Sequence, residues 1–435
     1  MLELGTEQPT ASQQPRRAHP GPRRERRRFW TGLGLIVAGG LVGRILYVMI
    51  VTRHQNAKLY DSLWYELQAL GLASGRFFPV VLGFRPDAAH PPLTSLVITP
   101  VTYFFGLPPG AAPQRLTMAV LGAVVVLLVG ILGRTLVGPG VGLLAALVAA
   151  AYPNMWMPNG IVMSETVSMV MVALILLATY RLFRSPTWGN AALMGLACGM
   201  AMLVRAELAL LVLCLLVPAA LVVRSVSWKG RLKLLTVGVV VAGLTVGPWV
   251  GRNLASFKEP TFLSTGEGPV LLGANCPATY DGPELGRWSL ACSIAVPHAA
   301  DQSVESARQT AAAERNIESN PGRLPVVVLA RVGRVWDFYE PLQMVDGDVN
   351  EGRPVPASFA GLMAYYLLLP AAAVGIVALR RRGVPVWPMV VIAVAVTVVA
   401  ATGYGLVRFR ADFEVSLVVL AAVGFNAGWR WIRRN

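Results

Sequence analysis

The chain is 435 residues long, 55% hydrophobic and only 14% charged, with a mean hydropathy of +0.56 and a formal net charge of +15. That balance excludes a soluble fold of this length and makes lipid the main solvent. The surplus of Lys and Arg, which in a soluble protein would point to nucleic acid, lies mostly between hydrophobic runs, where membrane topology accounts for it and no nucleic-acid partner is expected.

The first 29 residues carry Arg16, Arg17, Arg23, Arg24, Arg26, Arg27 and Arg28 among Pro, Gly and Gln. They read as a disordered, basic cytoplasmic tail attracted to anionic membrane lipids. Residues 31–51 lack an early cleavage site and are long enough to stay as a span rather than leave as a signal peptide. Nine more apolar runs follow, at 115–133, 140–153, 164–180, 190–204, 207–223, 234–250, 358–379, 386–403 and 411–429. The expected fold is an all-α polytopic bundle of about ten transmembrane helices, one membrane domain over residues 30–435, with short interfacial helices on its extracytoplasmic loops.

With the basic tail inside, the inner connections carry Arg134, Arg181 with Arg184, Arg224 to Lys233, and Arg380 to Arg382, and the C-terminal Arg430, Arg433 and Arg434 are inside too. This is the positive-inside pattern of a multi-pass plasma-membrane protein with both termini in the cytoplasm. Leu93 to Phe105 would invert every later loop if it crossed, so a short helix lying at the outer interface, or re-entering from it, is expected. Of the 23 acidic residues, Glu3, Glu7 and Glu25 lie in the tail, and the others all fall on outer loops or outer halves of spans. Carboxylate chemistry is therefore expected on the extracytoplasmic face.

Two large outer loops result, 52–114 and 252–357. In the first, Leu63, Leu67 and Leu70 recur at helical spacing and Gly75 can end the helix. Asp61 then falls at or just before the helix start, where a carboxylate either caps free amides or serves as general base for a hydroxyl. Glu66 is expected in solvent. In F-R-P-D-A-A-H-P-P-L (84–93), Pro91 and Pro92 stiffen the approach to the interfacial helix and His90 stands just outside it, able to donate to a phosphate oxygen. Asp87 is a second candidate carboxylate, although a turn also explains it.

Further along, Glu165, Arg205 with Glu207, and Arg252-Asn253 put polar groups at depths where they usually face the bundle or a wet cavity. A Glu165–Arg205 ion pair is the structural account of the first two. Arg252, Arg408 and Arg410 emerge on the outer side, either gathered on a lipid-linked phosphate or snorkelling to headgroups. The second outer loop offers an amphipathic helix, Ser303 to Glu318, then an interfacial piece, Pro325 to Trp336, interrupted by Arg331 and Arg334. Cys276 and Cys292 share that loop and can form a disulfide if it is outside, or both stay free. Trp288 either stacks on a sugar or anchors the loop. Metal signatures, a P-loop and a dinucleotide fingerprint are absent from the sequence, so neither metal nor other cofactor is expected.

In order along the chain, Asp61 ahead of Tyr65 and A-S-G-R-F-F, then A-H-P-P-L, F-F-G (104–106), M-S-E-T (163–166), R-A-E (205–207), G-P-W-V-G-R-N (247–253), L-S-T-G-E-G-P-V-L-L-G-A-N (263–275) and R-F-R (408–410) resemble the polytopic GT-C glycosyltransferases. The likeness is to the protein O-mannosyltransferase-like family 39 and the related lipid A aminoarabinose transferases. The resemblance implies transfer of a sugar from a polyprenyl-phosphate donor in the outer leaflet to a glycan, lipid or protein acceptor, commonly with inversion at the anomeric carbon. It implies that Asp61 is the catalytic carboxylate. Some relatives carry an acidic pair, or a lysine before P-P-L, where this chain has Tyr60-Asp61 and His90. That leaves His90, Arg205, Arg252, Arg408 and Arg410 as candidates for the donor phosphate, with Tyr65, Glu165, Asn253, Asn275 and Trp288 as substrate or acceptor contacts, loop 252–357 covering the acceptor side. The rivals are a transporter or flippase of a lipid-linked glycan, which should show paired inverted repeats not found here, and an inactive family member acting as a binding partner.

The inside placement of Arg380 to Arg382 is directly testable. A cysteine substituted for Arg381 should stay unmodified when intact cells meet a membrane-impermeant maleimide, and labelling there would overturn the assigned orientation.

Overall fold

The computed structural model describes residues 22–55, 60–77 and 87–433. Most of the expected basic tail, with Arg16 and Arg17, lies outside the described residues. The first helix already begins at Pro22, so Arg23 to Arg28 form its opening turns and are not the disordered segment expected.

Among the described residues all regular structure is helical. Six helices are long and apolar enough to cross a membrane: Arg23–Thr52, Pro109–Leu136, Ser164–Arg184, Trp228–Ser256, Val355–Arg381 and Val407–Ile432. A seventh crossing is possible if Pro139–Ala151 and Pro153–Gly160, bent by 76°, are taken as one broken span. The ten crossings expected are thus not confirmed. The other apolar runs do form helices, but Trp188–Met202, Ala206–Val222 and Trp387–Thr402 are short. At about 1.5 Å per residue, each falls short of a hydrocarbon core of about 30 Å.

The Ala411–Ile432 helix is the central post. Every residue from Ala411 to Gly424 is buried, and the helices Ala112–Leu136, Pro139–Ala151, Ser164–Arg184 and Val355–Arg381 pack around it. Large apolar side chains that face away from protein, such as Leu244 (72% exposed), Leu35 (70%) and Leu367 (69%), belong to the lipid-facing surface of such a bundle. Small residues bring backbones together: a side chain on Gly424 would collide with the Ala371 carbonyl, and one on Gly375 with that of Leu420.

Arg44, inside the first apolar span and only 2% exposed, docks on the break in the bent pair. Its Nη2 donates to the Ala149 carbonyl (3.2 Å) and its Nε to Asn159 Oδ1 (2.9 Å), while Asn159 Nδ2 donates to Thr166 Oγ1 (2.9 Å). The carbonyls at that helix end lack intrahelical donors, and the guanidinium supplies them.

The loop helices form where the sequence signals them. Tyr60–Ala73 ends at Gly75 (φ +73°), a left-handed conformation that glycine adopts without steric cost. Leu93–Phe105 follows Pro91-Pro92 and is the short helix expected. Gln302–Ser319 is capped by Asp301, whose side chain accepts from Ser303 N at 2.9 Å. In Leu324–Val335, Arg331 and Arg334 turn inward onto backbone carbonyls, including Ala274 (2.6 Å) and Leu285 (2.7 Å).

The glycine contacts give a stability prediction. Gly424→Ala should lower the thermal unfolding temperature in detergent, a cost of about 1–3 kcal/mol for overpacking at backbone contact. Substitution at Gly428, where a side chain meets open space, should leave it unchanged.

Candidate active site

Asp61, in the first turn of Tyr60–Ala73, faces Arg408, which lies on the short 3-10 turn Val407–Arg410 ahead of the central helix. Arg408 Nη2 donates to Asp61 Oδ2 at 2.9 Å and also to the Tyr404 hydroxyl at 3.0 Å. His90 Nε2 stands 3.6 Å from Asp61 Oδ1. The imidazole is fixed by stacking on Tyr65, ring centroids 4.7 Å apart, and by the edge of Trp64. Burial raises the Asp61 carboxyl, but the Arg408 charge and then His90 more than reverse this and hold it well below the usual carboxylate range. Asp61 is therefore ionised at neutral pH.

Behind this pair, Glu165 is buried at the start of Ser164–Arg184, its Oε1 3.9 Å from Arg408 Nε. Neither Glu165 Oε2 nor Arg408 Nε has a hydrogen-bond partner. Glu165 thus stands against Arg408 and forms no ion pair with Arg205. Arg205 pairs instead with Glu207 (2.8 Å) and, more loosely, with Asp412 (4.0 Å), and its Nη1 also lacks a hydrogen-bond partner. The Phe409 ring lies between the two arginines, 5.3 Å from the Arg205 guanidinium and 5.8 Å from that of Arg408. From Arg205 and Phe409 a cleft runs between Ala206–Val222 and Trp387–Thr402, walled by Leu208, Leu211, Ile392, Val396 and Val399.

Sequence reading missed a further charged group. Arg353 donates to Asp348 Oδ1 (2.8 Å) and Glu351 Oε2 (2.9 Å); Glu351 lies within the field of Arg408 and Glu165, and Arg353 within that of Glu165. Burial pushes the Glu351 carboxyl up to about 7 despite Arg353. The alternation D-G-D-V-N-E-G-R (346–353) before an apolar span was the available signal.

The remaining candidates are engaged with other protein groups. Asp87, fully buried, accepts from Trp64 Nε1 (2.8 Å) and Gln68 Nε2 (2.6 Å) and so fastens the Asp61 helix to the His90 segment. Arg252 donates to the Asp87 carbonyl and to Asn253 Oδ1, both at 2.9 Å, and Asn253 in turn donates to the Phe262 carbonyl. Arg410 is fully buried between Glu414 (2.8 Å) and Asp337 (2.7 Å) and lies over the Tyr365 ring at 3.6 Å. Its charge is committed inside the protein, away from the cations around Asp61. Asn275 accepts from Tyr280 and Arg331, each at 2.9 Å. Glu66, expected in solvent, is buried beside Ser62, because its helix lies flat against Leu93–Phe105. Cys276 and Cys292 are joined in a disulfide. Trp288, in the loop that this bond closes, lies 6.2 Å from Tyr404. Stitches from Thr265 N to Ala88 O (2.9 Å) and from Ala88 N to Gln302 Oε1 (2.8 Å) hold the segment 252–357 against the segment that carries His90.

Residues 89–250 match the family model of dolichyl-phosphate-mannose-protein mannosyltransferases. That segment holds His90, Glu165 and Arg205, whereas Asp61 and Arg408 lie outside it. No curated protein matches the sequence. Among solved structures, the chain resembles the oligosaccharyltransferase AglB from Archaeoglobus fulgidus in complex with an inhibitory peptide and a dolichol-phosphate, with a TM-score of 0.53 at 13% identity over 92% of this chain and 50% of that one. The apo form of the Archaeoglobus fulgidus oligosaccharyltransferase gives 0.52 at 14% identity, again over 92% and 50%. ArnT from Cupriavidus metallidurans in the apo state gives 0.42 at 18% identity, over 92% and 79%. The chain spans about half the length of the oligosaccharyltransferase structures it matches. The fold is GT-C-like, and the protein-mannosyltransferase likeness read from the motifs is borne out.

The scaffold reading of Arg410 is testable by stability. Arg410→Ala strands Asp337 and Glu414 as uncompensated buried charges and should cost about 3–5 kcal/mol. The check is a fall in unfolding temperature or a loss of the monodisperse peak on size exclusion, and an unchanged protein would return Arg410 to the list of ligand-binding cations.

Proposed function

We propose that this GT-C-like, protein-mannosyltransferase-like membrane protein is a glycosyltransferase that takes a sugar from a polyprenyl-phosphate donor and passes it to a hydroxyl on an extracytoplasmic acceptor. The observation that carries this reading is an ionised carboxylate, Asp61, held between Arg408 and His90, next to buried guanidinium nitrogens that have no hydrogen-bond acceptor. Buried donors without partners are costly, and a ligand that supplies oxygens repays that cost.

In this reading the donor phosphate meets Arg408 and Arg205, whose free Nε and Nη1 suit phosphate oxygens. The cleft leading away from Arg205 has the apolar walls an isoprenoid chain requires. The acceptor oxygen attacks the anomeric carbon from the face opposite the phosphate. Its new C–O bond forms as the bond to the phosphate oxygen breaks, the electrons leave with polyprenyl phosphate, and the acceptor proton passes to Asp61. No cofactor is invoked, because the arginines and His90 stabilise the charge that develops on the leaving group.

The same pairing explains how so acidic a carboxyl can act as a base. While Arg408 is bound to Asp61 the carboxylate is weakly basic. Once a phosphate competes for that guanidinium, the Asp61 carboxyl rises toward its ordinary range and accepts a proton more readily. The outer placement rests on the charge asymmetry of the loops.

The test is turnover of a panel of polyprenyl-phosphate sugars by the purified protein, with water-soluble glycans, lipids and peptides as acceptors. Asp61→Asn should lower turnover by at least about 10²-fold while leaving donor binding near that of the parent. Unchanged turnover would remove Asp61 from the mechanism.

A further inference from the structure

Arg408 is gripped from a direction that the proposed chemistry does not use. Tyr404, 7% exposed, accepts a hydrogen bond from Arg408 Nη2, the same nitrogen that donates to Asp61. The Tyr404 ring is wedged between Phe409, centroids 4.9 Å apart, and Trp288 at 6.2 Å. Its neighbour Gly405 donates from its backbone N to the Gly286 carbonyl at 2.9 Å. A Cβ at Gly405 would lie 2.6 Å from the Arg331 carbonyl, so the segment is pressed directly onto the Leu324–Val335 helix.

Trp288 and Gly286 both belong to the loop that the Cys276–Cys292 disulfide closes. Its base is fastened by Arg331, which donates to Asn275 Oδ1 (2.9 Å) and the Ala274 carbonyl (2.6 Å) on one side and to the Ala401 carbonyl (3.2 Å) on the other. Trp288 is pinned through its own Nε1 to the Pro269 carbonyl at 2.9 Å. A single guanidinium therefore spans both the closed loop and the chain leading to Tyr404.

We propose that the disulfide-closed loop 276–292 is a bracket that sets the position of Tyr404, and that Tyr404 is a positioning residue aligning Arg408 on Asp61. Flexible arginine side chains lose rotamer entropy when fixed, and this one is fixed by a hydroxyl that itself cannot move while the loop stays closed. Opening the disulfide leaves Trp288 and Gly286 held by their hydrogen bonds alone, lets Tyr404 tilt, and loosens the Arg408–Asp61 contact without removing any residue from it. The inference rests on the proposed role of Asp61 for its meaning, but its test does not require turnover.

The readout is the protonation of Asp61, which Arg408, His90, Tyr404 and Tyr65 face. The intact protein in detergent is treated across a pH series with a diazo reagent that esterifies only protonated carboxyls, and Asp61 modification is read by peptide mass spectrometry. With Arg408 aligned, the Asp61 carboxyl lies low and modification begins only at strongly acid pH. Tyr404→Phe, which keeps the ring and removes the hydroxyl, should move the modification curve to higher pH, as should reduction and alkylation of Cys276 and Cys292 in the unmutated protein. Each unit of displacement is a change of about tenfold in modification at fixed pH. A merely structural role would change the plateau or the yield and leave the curve in place on the pH axis.

Arg408→Gln sets the scale. If it moves the curve while Tyr404→Phe and the reduced protein do not, the bracket is overturned and the function proposed above stands. If Arg408→Gln also leaves the curve in place, the bracket falls together with the Asp61–Arg408 pair. If all three move it but no donor is turned over, the bracket holds and the transferase reading falls.

Discussion

The contact between Asp61 and Arg408 joins two residues 347 positions apart, and the packing of the two long loops, 52–114 and 252–357, brings them together. A charge pair taken out of water must recover its lost hydration through close geometry and further hydrogen bonds. The protein surrounds the pair: His90 stands 3.6 Å from the second carboxylate oxygen, the Tyr404 hydroxyl accepts from the guanidinium, and the Asp87 anchor holds the Asp61 helix to the His90 segment. Remove that pair and the second outer loop, the 3-10 turn before the central helix and the short Leu93–Phe105 helix have no shared focus.

The focus is also incompletely satisfied. Glu165 Oε2, Arg408 Nε and Arg205 Nη1 are buried without hydrogen-bond partners, close to groups that are otherwise well paired. Natural proteins leave few such atoms, and in the function proposed the two guanidinium nitrogens, beside an apolar cleft, receive the oxygens of an amphiphile's anionic head. The stability lost by leaving them open is the counterpart of affinity gained when such a ligand arrives.

Much of this was legible in the sequence, for physical reasons that also mark the limits. Apolar runs and their breakers located the helices, and Gly75, Pro91-Pro92 and the leucines at 63, 67 and 70 gave the loop helices because their signals are local. Asp61, His90, Tyr65, Glu165, Arg205 and Arg408 stood out because ionisable and aromatic groups at the bilayer edge are few. What local signals cannot carry is the direction in which a side chain points. Arg408 and Arg410 are two residues apart in R-F-R, yet one meets Asp61 and the other is sealed between Glu414 and Asp337, because a tight 3-10 turn sends them to different sides. Asp87, Asn253 and Asn275 likewise stand out in the sequence, and in the structure each is bonded to neighbouring protein groups. Six helices meet the length of a span against the ten apolar runs counted, because a helix of 15 or 16 residues satisfies a hydropathy criterion and is short for the hydrocarbon.

Arg44 bears on how such a chain is built in the cell. Its partners at Ala149 and Asn159 lie 105 and 115 residues further along, so when the first helix leaves the ribosome none of them exists. An arginine within an isolated span costs about 2.5–3.5 kcal/mol on the insertion scale, and that penalty persists until the bent pair has been synthesised. The first helix is therefore a poor resident of free lipid during biogenesis. The charge gains its carbonyl and amide acceptors only when the kinked segment arrives, so the first helix and the bent pair are locked together in one late step.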